Sequence, residues 1–77
     1  MDKTDWIGKR IFVKLKSHRV YQGIIIDVEF LGTNAEDKRA MWLYTLKDKF
    51  GMFVSFPDSE INVIEEEKEN DSNRQTP

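Results

Sequence analysis

The chain has 77 residues, 39% of them hydrophobic, a formal net charge of −2, one histidine and no cysteine. That length allows one domain, near the lower limit at which a single core suffices. The absence of cysteine excludes a disulfide framework and a thiolate metal site, and His18 alone makes no metal site, so neither metal nor cofactor is expected. No run is apolar enough for a membrane span, and Met1-Asp2-Lys3 does not begin a signal-peptide pattern, so the chain reads as soluble and cytoplasmic.

In chain order, Thr4-Asp5-Trp6-Ile7 starts a helical stub with Thr4 or Asp5 as N-cap, and Gly8 stops it after about two turns. Trp6 and Ile7 are expected to lie as a lid on the core. A first strand follows at about Arg10–Lys16, with Ile11, Val13 and Leu15 alternating with Phe12 and Lys14. Ser17-His18 is a turn. Histidine tolerates positive φ better than most residues, which explains His18 without a catalytic role.

The second strand is placed from about Arg19 to Phe30. Tyr21 and Ile25 share one face, whereas Ile24, Ile26, Val28 and Phe30 share the other. Such a change of buried parity within one strand signals a bulge or strong coiling. Gly23, inside the run, permits a sharp bend. Gly32 to Lys38 is a polar loop, and Met41 to Leu46 is an aromatic-rich third strand. Lys47 to Gly51 turns the chain, with Gly51 at positive φ. Met52 to Phe56 is the fourth strand, Pro57-Asp58-Ser59 another turn, and Ile61 to Ile64 a short fifth strand. From Glu66 onward no apolar residue remains, so residues 66–77 are expected to be a disordered tail following a folded domain of residues 1–65.

Five short antiparallel strands behind a helical stub make a small, strongly bent all-β barrel. Its charge is asymmetric. Residues 1–56 carry ten Lys or Arg against seven Asp or Glu, and residues 57–77 carry two against seven. The barrel is therefore mildly basic and the end of the chain acidic, either as a solubility device or as a competitor for the basic surface.

Leu15-Lys16 at a strand end, then Tyr21, Gly23, Ile25, Val28 and Glu29 at their spacing, and Leu46-Lys47-Asp48 later, resemble the Sm-like (LSm) family, which includes the bacterial Hfq branch. The resemblance spans about residues 6–66. It implies an SH3-type barrel that assembles into a homo-oligomeric ring through its fourth and fifth strands. Val54, Phe56, Ile61 and Val63 are the expected subunit contacts. It also implies single-stranded RNA binding at one pole. The chain departs from the family's base-reading residues. Gly32-Thr33 stands where the family has Met-Asn, with Asn34 one step late, and Phe56-Pro57-Asp58 stands where it has Ile-Arg-Gly.

Binding single-stranded RNA requires flat groups for stacking, amides or hydroxyls for base edges, and cations for phosphates. The loop after the second strand offers Thr33, Asn34, Lys38 and Arg39, and the Pro57–Ser59 turn adds Ser59. If the fold follows the family, both loops meet at one pole. The plainer reading is a solvated loop. Lys14, Lys16 and Arg19 likewise read as solvated charges beside a hairpin. Phe12, Trp42, Tyr44, Phe53 and Phe56 are assigned to the core or to a subunit contact. No nucleophile–base pair, phosphate loop or metal-ligand cluster points to an enzyme. Asp27 and Glu29 lie at period 2 on a solvated face. The competing reading is a ring-forming scaffold with a protein partner and no nucleic-acid role.

Overall fold

A computed structural model describes residues 3–67 of the chain. Five strands, β1 (Arg10–Leu15), β2 (Val20–Thr33), β3 (Ala40–Asp48), β4 (Phe53–Pro57) and β5 (Ile61–Glu66), pair antiparallel in the order β4-β3-β2-β1-β5. A 3-10 turn, η1 (Lys3–Trp6), precedes β1, and a second, η2 (Asp58–Glu60), joins β4 to β5. The end strands β4 and β5 do not pair with each other, so the five strands form one open sheet. Among the described residues no helix is long and apolar enough to cross a membrane.

The long β2 is the centre of the sheet, pairing with β1 through its first half and with β3 along most of its length. Its register against β3 slips between Ile25 and Asp27, at the change of parity expected from the sequence. Before the slip Gly23 and Ile25 are buried; after it Val28 is. One extra residue, Ile26, thus lets both halves of the strand face one core. A second slip between Phe30 and Gly32 carries the strand on to Thr33, three residues past its expected end.

The core consists of Ile11, Val13 and Leu15 from β1, Ile25 and Val28 from β2, Tyr44 and Leu46 from β3, and Phe56 from β4. Alternation along each strand puts these residues on one face. The Phe56 ring stacks on Tyr44 at 5.8 Å between centroids and lies 6.4 Å from Tyr21. Of the two places expected for Phe56, core or subunit contact, its 2% exposure within one chain puts its side chain in the core. Of the other expected contacts, Val54 and Ile61 are half-buried and Val63 is exposed.

The expected N-terminal lid is half realised. Trp6 packs against the core, whereas Ile7 remains exposed. The Gly8 N–H donates to the Ile25 carbonyl at 2.7 Å, and the Ile25 N–H donates to the Lys9 carbonyl at 3.0 Å, which fastens this segment to β2 beside the bulge. At the other end two residues expected in the tail belong to the fold. Glu66 is in β5, and the Glu67 N–H donates to the Arg10 carbonyl at 2.8 Å. The rest of the expected tail lies outside the described residues.

Turn chemistry follows the residue types. His18 and Gly51 take positive φ, 77° and 84°, as expected. Gly23 has a different role from Gly51. A Cβ on Gly23 would overlap the Lys47 carbonyl oxygen and come within 2.9 Å of the Asp48 Cα, so the absent side chain permits close approach of β3 to β2. Gly23→Ala is therefore expected to lower stability by about 1–3 kcal/mol, the usual cost of overpacking. Urea unfolding would register it as a lower midpoint at unchanged slope.

Candidate nucleic-acid interface

The loop after β2 and the η2 turn meet, as expected, although 19 residues of β3 and β4 chain and turns separate Arg39 from Ser59. Between them is a cleft of about 210 Å³ whose walls are Leu31, Ala40, Met41 and Pro57 and whose polar groups are Asn34, Asp37, Arg39, Asp58 and Ser59. Of the five residues assigned to RNA binding from sequence, Asn34, Arg39 and Ser59 line this cleft; Thr33 and Lys38 do not.

Local hydrogen bonds explain the loop's shape. The Asn34 Oδ1 accepts the Glu36 N–H at 2.7 Å and the Asp37 N–H at 3.3 Å, an Asx cap of the turn. The Asn34 N–H donates to the Arg39 carbonyl, and the Lys38 N–H donates to the Asn34 carbonyl, both at 2.8 Å. Lys38 takes positive φ, 61°, to close the loop, so it is a turn residue first. The Asn34 carbonyl oxygen is thus committed to the backbone, and its amide N–H groups are what it offers a ligand.

Two acids, Asp37 and Asp58, share the cleft with one cation. The Asp37 carboxylate accepts the Arg39 N–H at 3.1 Å, and its other oxygen stands 3.8 Å from the Arg39 Nε. Both side chains are more than half exposed, so this pair is weak and leaves the guanidinium available. On the other wall, the Asp58 Oδ1 accepts the Trp42 N–H at 3.3 Å, extending the β3–β4 ladder past its last backbone pair, Leu43 and Pro57. Burial, and then the Asp58 carboxylate, push the Tyr44 phenol above its ordinary pKa, so it stays protonated.

The balance of two carboxylates to one guanidinium makes the cleft a poor site for phosphate alone. It suits a flat group with N–H donors at its edge, held between apolar walls. In the sequence Asp58 is a turn residue and a departure from the family's Ile-Arg-Gly; the strand register that makes it a cleft residue is not legible from composition. The apolar wall of Leu31 and Met41 was missed because β2 continues past Phe30. No group of three or more His, Asp or Glu able to hold a metal occurs among the described residues.

Removing the Asx cap with Asn34→Ala is expected to cost about 1 kcal/mol locally. Hydrogen exchange would show faster loss of protection at the Glu36 and Asp37 amides, with β1 unaffected.

Searches for a matching family model, a similar curated protein and a similar solved structure all return no match.

Proposed function

We propose that the chain is an Sm-like protein that binds single-stranded RNA in the cleft between the loop after β2 and η2, and that it assembles into a homo-oligomeric ring. The observation that carries the RNA reading is the convergence of Asn34, Arg39 and Ser59, from two separate loops, around a cleft with apolar walls. In this reading a base enters between Leu31, Met41 and Pro57. The Asn34 amide, the Ser59 hydroxyl and the Asp58 carboxylate take its edge, and Arg39 reaches the adjoining phosphate.

The order β4-β3-β2-β1-β5, the bulged β2 and the turn after Leu15-Lys16 support an Sm-like, barrel-like curvature. Two open edges support the ring. β4 and β5 each leave one side unpaired within the chain, and open edges invite a strand from another copy. Val54, Ile61 and Val63 lie on those strands and are at least partly accessible. The scaffold reading, with a protein partner and no RNA, is favoured by the acids Asp37 and Asp58 in the cleft.

Short RNAs decide between the two. A carboxylate accepts from an exocyclic amino group, as with cytosine N4. Oligo-A and oligo-C are therefore expected to bind more tightly than oligo-U, and Asp58→Asn, which keeps the oxygen that accepts from Trp42, to narrow the difference. Titrations at about 50 and about 200 mM salt would read both base preference and phosphate contacts. No binding to any of these RNAs at the lower salt refutes the RNA reading and leaves the scaffold.

The ring makes a separate prediction. Light scattering is expected to give a multiple of the 9.1 kDa chain mass, and Val63→Lys, at an exposed edge position, to reduce it toward one chain without unfolding. A wild-type mass of one chain would remove the ring.

A further inference from the structure

A groove of about 330 Å³ lies away from the cleft, between the start of β2 and the β3–β4 turn. Its lining includes Arg10, Lys47 and Lys49 together with Val20, Ile24 and Phe50. The register explains the convergence. Phe53 pairs with Lys47, Lys47 with Ile24, and Ile24 with Arg10, one row across β4, β3, β2 and β1. Directly opposite residues in antiparallel strands point to the same face, and strands lie about 4.8 Å apart, so the row spans about 14 Å. All four of its residues are exposed, on the face away from the core.

Two phenylalanines stand out of this surface. Phe50 is 79% exposed and Phe53 64%. Each has an ammonium over its ring, with Lys49 Nζ 5.5 Å from the Phe50 centroid and Lys47 Nζ 6.0 Å from that of Phe53. Among the described residues Arg10, Lys47 and Lys49 take part in no ion pair. The two acids of the groove have other partners. Asp48 accepts the Phe50 and Met52 N–H groups, each at 2.9 Å, and so fixes the turn; Glu67 accepts from the Gln22 amide.

Exposed rings beside unpaired cations, with the nearby acids hydrogen-bonded elsewhere, have the chemistry that single-stranded nucleic acid requires: faces on which any base stacks and charges along its backbone. We propose that this outer face of the sheet is a second nucleic-acid site. Phe50 and Phe53 stack bases, and Arg10, Lys47 and Lys49 contact phosphates. Because stacking and phosphate contacts dominate, this face binds with little sequence preference, unlike the cleft. It shares no residue with the cleft and does not depend on the cleft binding RNA.

The test uses the full chain and a fluorescently labelled single-stranded RNA of mixed sequence, with single-stranded DNA of the same sequence and a polyglutamate peptide as comparisons. Phe50→Ala with Phe53→Ala is expected to weaken RNA binding at least about tenfold, within the range measured for lost base stacking, at unchanged salt slope. Lys47→Glu with Lys49→Glu is expected to weaken binding and to reduce the salt slope by about two, one for each lost phosphate contact. Arg39→Ala, in the cleft, is expected to weaken this mixed-sequence binding less than either double variant does. All four substituted side chains of the two double variants are exposed, and circular dichroism checks that the sheet is retained. The proposal is overturned if both double variants bind as the parent does, if Arg39→Ala alone abolishes binding, if no RNA or DNA binds, or if polyglutamate binds in preference to RNA. The last result would make the face a site for an acidic protein segment. Loss in the double variants with intact base preference in the cleft would separate the two sites.

Discussion

Everything in this sheet depends on the bulge between Ile25 and Asp27. A 14-residue strand with a strict period of two would bury either the Gly23–Ile25 parity or the Val28 parity, leaving the other half's apolar residues facing water. The extra residue turns both halves onto one core. The same place anchors the N-terminal segment, whose Gly8 and Lys9 backbone groups bond to Ile25. A few residues away, Gly23 lets the β3 backbone close against β2. Bulge, docking segment and close strand contact act together over the five residues from Gly23 to Asp27, and β1 and β3 pair with β2 on either side of them.

Much of this was legible because it rests on local rules. The parity change from Ile25 to Val28, positive φ at His18 and Gly51, and the five strands all follow from residue type and spacing. What was not legible depends on which face a short strand presents. Phe53 and Phe56 are both aromatic residues of one five-residue strand, and nothing in their identity says that one stacks on Tyr44 while the other stands in solvent. Register against β3 decides it. The end of β2 and the start of the tail were misplaced for a related reason. Gly32, Glu66 and Glu67 are poor strand formers by composition, and backbone pairing with neighbouring strands holds them there.

The two surfaces divide the chain's charge in a way its net value of −2 conceals. At the cleft, acids outnumber the single arginine, so its walls offer hydrogen-bonding groups and no net positive charge. On the outer face, lysines and an arginine lie beside aromatic rings with their acids already hydrogen-bonded. Asp48 shows how this is arranged. By capping the β3–β4 turn its Oδ1 is committed to the Phe50 and Met52 N–H groups, and it forms no ion pair with Lys47 or Lys49, its sequence neighbours on either side.

The crossing made by η2 has a consequence for how the chain folds. β1, β2 and β3 form a meander of neighbours in sequence, and β4 adds to it across a short turn. β5 alone must travel, joining β1 so that Val13 meets Ile64 and the Gln22 amide meets Glu67, 45 residues along the chain. Closing so long a loop costs entropy before any contact repays it. The docking of the last strand therefore carries the largest loop-closure cost in the sheet, and the Lys16 N–H to Glu60 carbonyl bond at 2.7 Å ties its approach to the end of β1.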